Sequence, residues 1–252
     1  MASPNHQPLA EALTIYTAAL PRQARLLRLA GEVLQLLAQV QAALPPAAAP
    51  DLEGAESRLT AGETILGEIA VPGNLFRATL GRLLEVYQGA QLLPPLPPER
   101  LSDLLALPPQ TWLDEEERAP QLNNIPQVPA GLMVFLARQA LSPFYQQAAA
   151  PYLEVCRRGH WQEGNCPACG QEPALGTLDS HSGQRLLSCS LCCVEWPFSR
   201  LACPFCGRAQ PRFSYVFVED DPARRADLCQ DCGRYLKTIV TGRLPHLLFL
   251  PL

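Results

Sequence analysis

The feature that most restricts this chain is a set of four Cys-x-x-Cys pairs confined to its C-terminal part: Cys166-Pro-Ala-Cys169, Cys189-Ser-Leu-Cys192, Cys203-Pro-Phe-Cys206 and Cys229-Gln-Asp-Cys232. All ten cysteines lie at or after Cys156. Three of the pairs are followed directly by glycine, at Gly170, Gly207 and Gly233. Glycine there permits the positive φ of a tight knuckle, in which two thiolates chelate one ion and backbone amides turn toward the sulfurs. Nineteen residues separate the first two pairs and 22 the last two, the spacing expected of four-cysteine sites.

Between the knuckles the sequence supplies hairpins. PALGTLD, a turn at 180–183 and QRLLS form one ribbon; PRFSYVFVE, a turn around Asp220–Pro222 and RRADL form another. The reading is an internal repeat of two modules, with Cys166, Cys169, Cys189 and Cys192 as ligands in the first and Cys203, Cys206, Cys229 and Cys232 in the second. An interleaved pairing would cost only about 0.5 kcal/mol more in loop closure, so the hairpins, not entropy, favour consecutive pairs. Modules this small cannot hold together on apolar burial, and metal binding is expected to supply on the order of 10 kcal/mol per site.

Four thiolates suit zinc or a single iron equally. A disulfide framework is disfavoured, because a Cys-x-x-Cys bridge closes too small a loop to constrain the chain. A thioredoxin-like dithiol needs a β-α-β unit that these cysteines lack. Cys156 reads as a small buried residue ending a helix, and Cys193 as a bystander beside Cys192. His160 and His181 flank the first pairs but are assigned surface or turn roles, since four cysteines already complete a tetrahedron.

Upstream, apolar residues recur at helical spacing. Leu26, Leu27, Ala30, Val33, Leu34, Leu37 and Val40 predict a helix over 22–43, with further helices at 8–20, 55–69, 74–88 and 130–156, the last kinked or split at Pro143. LLPPLPPER and LALPPQTW read as breaks. The acidic run Asp114–Glu117 reads as a solvated helix start. The fold expected is therefore α+β: a helical bundle over 1–160, a first metal module over 161–200 and a second over 201–252.

Charge excludes one class of partner. Residues 1–150 carry a net −5 and residues 151–252 a net +1, giving the chain its −4, so no basic field exists to collect nucleic acid. No apolar run approaches the ~20 residues of a membrane-spanning helix. The N-terminal residues lack the basic start and apolar run of a secretory leader, so the expectation is a cytoplasmic protein without membrane insertion. No Ser-His-Asp arrangement, phosphate-binding glycine loop or paired acids suggest an enzyme.

The run Leu187–Cys192, then Glu195-Trp196, Arg200 and Cys203-Pro-Phe-Cys206-Gly207, resembles the formate dehydrogenase accessory protein family, FdhE. Cys229-Gln-Asp-Cys232-Gly-Arg-Tyr-Leu-Lys237 is similar to that family's closing motif, and Cys166-Pro-Ala-Cys169-Gly170 also matches. The resemblance implies an N-terminal helical domain and two rubredoxin-like modules of the zinc-ribbon kind, with iron favoured and zinc the alternative. It implies a non-catalytic maturation or chaperone role that engages the catalytic subunit of formate dehydrogenase in the cytoplasm. An iron electron carrier or redox sensor is the competing reading. Pro197 stands where members often carry His. Trp196 and Arg200 invite a binding role, as such residues dominate hot spots; the preferred reading is that Trp196 packs between modules and Glu195 pairs with Arg200.

Overall fold

The computed structural model describes residues 13–14, 17–18, 21–114, 130–218 and 221–241. His6, Glu115–Glu117, Asp220 and most of the helix expected at 8–20 lie outside the described residues. The chain is α+β, and its described residues form two compact units, one drawn from residues 13–45 and 70–144, the other from residues 46–69 and 145–241.

In the first unit, helix α1 (Ala24–Ala43) follows a short 3-10 turn at Pro21–Gln23. Its buried stripe is Leu27, Leu29, Ala30, Val33, Leu36 and Leu37, while Leu26 is exposed, so the apolar face is turned from the one expected. Helix α3 (Gly73–Gly89) buries Phe76, Thr79, Leu80, Leu83 and Leu84. The Arg25 guanidinium donates to the Ala90 carbonyl just past the end of α3, and Arg82 in the middle of α3 donates to the Gln39 side chain of α1 at 3.4 Å, so the α1–α3 pair carries two polar ties.

Two helices depart from expectation for reasons rooted in proline chemistry. Helix α4 (Pro98–Ala106) arises inside a segment that reads as a break, because Pro98 occupies the first helical position, where its missing N–H costs nothing. Helix α5 (Ala130–Ala149) continues through Pro143 instead of splitting there. Met133, Leu136, Ala137, Ala140 and Leu141 on α5 are fully buried, and that packing outweighs one missing hydrogen bond. The interruption comes later, at the 3-10 turn Ala150–Tyr152 around Pro151, before the short helix α6 (Leu153–Arg157).

The second unit contains helix α2 (Leu52–Thr60), capped by the Asp51 carboxylate, which accepts the Gly54 amide at 2.9 Å. It also contains one six-stranded sheet in the order β3-β2-β1-β6-β5-β4. The strands are β1 (Pro173–Asp179), β2 (Arg185–Cys189), β3 (Glu195–Pro197), β4 (Phe213–Val218), β5 (Asp221–Cys229) and β6 (Tyr235–Thr241). Each repeat is an antiparallel three-strand meander. The meanders join through the parallel pairing of β1 with β6, Leu175 opposite Lys237 and Asp179 opposite Thr241. Two modules that read as separate ribbons thus share a single sheet.

The repeat extends to individual hydrogen bonds. The amide of Ser190 donates to Glu172 O, and at the matching place in the second meander Gln230 donates to Arg212 O. The β1–β2 turn is fastened by Asp179, whose carboxylate accepts the amides of His181 and Ser182 and the Ser182 hydroxyl. The Ser182 bonds, from backbone and hydroxyl, lower the Asp179 pKa. His181 is therefore a turn residue.

Candidate metal centres

All four knuckles share one backbone device. The first cysteine of each pair donates its amide to the carbonyl five residues on: Cys166 to Gln171, Cys189 to Val194, Cys203 to Arg208 and Cys229 to Arg234. In three of them the glycine amide also returns to the first cysteine's carbonyl, and these glycines have φ of 76° (Gly170), 67° (Gly207) and 72° (Gly233). The fourth knuckle meets the same demand without glycine. Cys193 holds φ at 58°, so the spare thiol is the residue that fills the glycine's place. It is exposed, and the Gln146 side-chain amide donates to its sulfur at 3.5 Å.

The sulfurs gather in consecutive pairs. Cys166, Cys169, Cys189 and Cys192 form one group and Cys203, Cys206, Cys229 and Cys232 another, all four sulfurs of each lying within 4.8 Å of one another. In the first, Cys166–Cys192, Cys169–Cys189 and Cys169–Cys192 are each 3.5 Å apart; in the second, Cys203–Cys232 is 3.8 Å and Cys206–Cys229 4.0 Å. A tetrahedron of thiolates about 2.3 Å from a central ion has edges of about 3.8 Å, so both groups fit one four-coordinate ion each. Backbone amides of Cys206 and Phe205 point at the Cys203 sulfur, those of Cys232 and Asp231 at the Cys229 sulfur, and Leu191 donates to Cys189 at 3.3 Å.

Without a cation these clusters resist ionisation. Burial, then hydrogen bonding among the thiols, pushes Cys166 far up, and burial lifts Cys203 to about 12. Burial also acts upward on Cys189, yet hydrogen bonds from Cys166, Cys169 and Cys192 draw it below the usual thiol value. One thiolate solvated by its neighbours is what a crowded thiol cluster can hold; a divalent ion reverses that balance and admits all four.

The two groups differ in cover. Residues 61–69 were expected to continue a helix, but α2 ends at Thr60 and Gly62 turns the chain at φ 78°. The segment then pairs with the first knuckle: the amides of Ile65 and Leu66 donate to Pro167 O and Ala168 O at 3.0 and 2.9 Å. Arg58 on α2 steadies it by donating to Thr64 O at 2.8 Å. Cys166, Cys189 and Cys192 are buried, as is Cys156 on α6, whose thiol burial raises to about 12. In the second group Cys206 is exposed and Cys232 half-buried. A competing chelator is therefore expected to strip one ion per chain at least about tenfold faster than the other, because release from the covered centre requires local opening. Single-cysteine variants of each group would assign the fast phase; equal rates would contradict the expected difference in cover.

Glu195 does not pair with Arg200. It forms an ion pair with Arg157 of α6 at 2.6 Å, which ties β3 to that helix. The Arg200 guanidinium instead lies against Gly183 in the β1–β2 turn, where a side-chain carbon would collide with it. Trp196 is fully buried, with its indole N–H donating to Glu163 O at 3.3 Å. Glu172 and Arg234, which follow the first and fourth knuckles, form a two-bond ion pair at 2.5 Å, with Arg234 4.0 Å above the Phe205 ring.

A helical protein carrying two tetracysteine ribbons on one shared sheet is the class that this fold and these sites define. Residues 165–200 match the family model described as FdhE, central domain. The FdhE homologue of Pseudomonas aeruginosa is 40% identical over 81 residues, 29% of this chain and 26% of that protein. The FdhE protein of Salmonella paratyphi A is 33% identical over 109 residues, 42% of this chain and 35% of that protein. The matches to these curated relatives thus span about a third of their length or less. The crystal structure of the FdhE protein from Pseudomonas aeruginosa shares the fold, with a TM-score of 0.59, 22% identity and coverage of 97% of this chain and 87% of that one. Over part of its length this chain is thus similar to FdhE proteins, and it shares the fold of one of them.

Proposed function

We propose that this protein is a non-catalytic accessory factor for a formate dehydrogenase, acting in maturation by binding the catalytic subunit. The observation that carries the reading is the FdhE match over residues 165–200, the segment that builds the first tetracysteine group. On this reading Cys166, Cys169, Cys189 and Cys192 ligate one ion and Cys203, Cys206, Cys229 and Cys232 a second. Iron is the ion favoured by the resemblance and zinc the alternative. Four thiolates per site leave no open position for substrate, which agrees with a presenting or positioning role. The site of action is the cytoplasm; among the described residues no helix is long and apolar enough to cross a membrane.

Co-purification with the catalytic subunit, using metal-loaded protein at about micromolar concentration, tests the reading. A stable complex is expected. Absence of association with both ions present overturns it. The visible spectrum of anaerobically purified protein separates a coloured iron form from a colourless zinc form.

A further inference from the structure

The ion pair between Glu172 and Arg234 lies where all four knuckles meet. Glu172 is held by the first centre: it follows Gln171, whose carbonyl accepts the Cys166 amide at 2.8 Å, and its own carbonyl accepts the amide of Ser190, inside the second knuckle, at 3.0 Å. Arg234 is held by the second centre: its carbonyl accepts the Cys229 amide at 2.9 Å, and its guanidinium lies 4.0 Å above the ring of Phe205, inside the third knuckle. Glu172 leads into β1 and Arg234 into β6, and these strands run parallel, so both side chains stand at the cysteine end of the seam. Two bonds of 2.5 Å join carboxylate to guanidinium, a fork-to-fork geometry that fixes the orientation of both. The pair belongs to the seam and not to the repeat, since the places matching Glu172 and Arg234 in the opposite meanders hold Arg212 and Val194.

We propose that Glu172 and Arg234 couple the two metal centres, so that filling either one raises the affinity of the other for its ion. The coupling rests on the reading that each tetracysteine group holds an ion, and adds that the two ions are not bound independently. Its physical ground is ordering. An ion fixes its two knuckles, and with them one member of the pair. The second ion then orders its own member against a partner already in place, so part of the conformational entropy of closing the second centre has been lost beforehand. Both side chains are half-exposed and water screens their attraction, so the coupling lies at the low end of the usual range, about five- to tenfold.

Zinc uptake by the full chain, measured in reducing buffer against a chelator of known affinity with native mass spectrometry counting ions per chain, tests this. Glu172→Gln is expected to weaken the second step of zinc binding about five- to tenfold and to leave the first within about twofold. Two chains with one centre disabled, Cys206→Ser and Cys169→Ser, separate coupling from damage to a site: in each, adding Glu172→Gln should leave the zinc affinity of the remaining centre within about twofold. If either chain fails to fold, the charge swap of Glu172→Arg with Arg234→Glu decides, because it should restore the second step that each single change weakens. Unchanged stepwise affinities in Glu172→Gln overturn the proposal, as does a swap that restores nothing. The same loss in a chain with one centre disabled overturns it too, and makes the pair a support of that centre alone. A chain that takes up no zinc with its eight clustered thiols reduced overturns the metal-centre reading itself, and the coupling with it.

Discussion

Replacing Cys189 with serine is expected to empty the first metal centre and unfold the meander it anchors. Cys189 ends β2 directly across from Pro173, is buried, and lies 3.5 Å from the Cys169 sulfur. Strands of seven, five and three residues bury too little to stand without the ion. Metal binding contributes on the order of 10 kcal/mol in such modules, comparable with the whole 5–15 kcal/mol stability of an ordinary domain. A serine hydroxyl does not ionise near neutral pH and offers a poor ligand in place of thiolate. Elemental analysis should show the bound metal falling by at least one ion per chain, with loss of sheet signal in circular dichroism. Cys156→Ala is the control: its thiol is buried but lies outside both groups, so that variant should keep its full metal content. A Cys189→Ser protein with native sheet signal and an unchanged melting temperature would show that the ion is not a folding element.

The second large effect is expected at Asp227, which has no metal role. Its buried carboxylate accepts Arg225 Nε at 2.7 Å and the Thr238 hydroxyl at 3.0 Å. It also opposes the charge of Arg185, a buried guanidinium that donates to the carbonyls of Ser199 and Ala202 and lies 5.2 Å from the Phe198 ring. Burial pulls the Arg185 pKa down to about 10, and Asp227 is the first charge acting against that pull. Asp227→Ala leaves two cations, the buried Arg185 and the partly buried Arg225, without their counter-charge. The cost expected is about 3–5 kcal/mol, read from urea unfolding of the metal-loaded protein. Adding Arg225→Ala should recover part of it, since the pair is then removed together. A loss below about 1 kcal/mol would mean that water reaches the network and screens it.

What was legible in the sequence was local. Knuckles and hairpins are set by residues close in the chain, the hairpin partners ranging from neighbours at the turn to Pro173 and Cys189 at the open end, so Cys-x-x-Cys pairs, the Ser180–Gly183 turn and strand β1 could be read directly. The parallel joining of β1 to β6 could not, because Leu175 and Lys237 meet across more than sixty residues and their register depends on both meanders being formed. The cover over the first centre escaped for a related reason. Residues 61–69 look helical in isolation, yet their amides find better partners in the carbonyls of Pro167 and Ala168. Arg157 displaced Arg200 as the partner of Glu195 because α6 approaches β3, a contact that spacing along the chain does not announce. Cys193 looked like an accident beside a ligand; only its backbone angle marks it as the stand-in for a glycine.

The position of β6 also bears on how the chain is made. Among the described strands β6 comes last in the chain, yet it lies at the centre of the sheet, between β1 and β5. Until Tyr235–Thr241 emerges, a nascent chain can close the first tetracysteine group but cannot connect it to anything that follows. A chain stopped just after Cys232 would hold every thiol of both groups and no seam between them, so the residues that take up metal and the residues that join the two meanders are separate, and Tyr235–Thr241 supply the second.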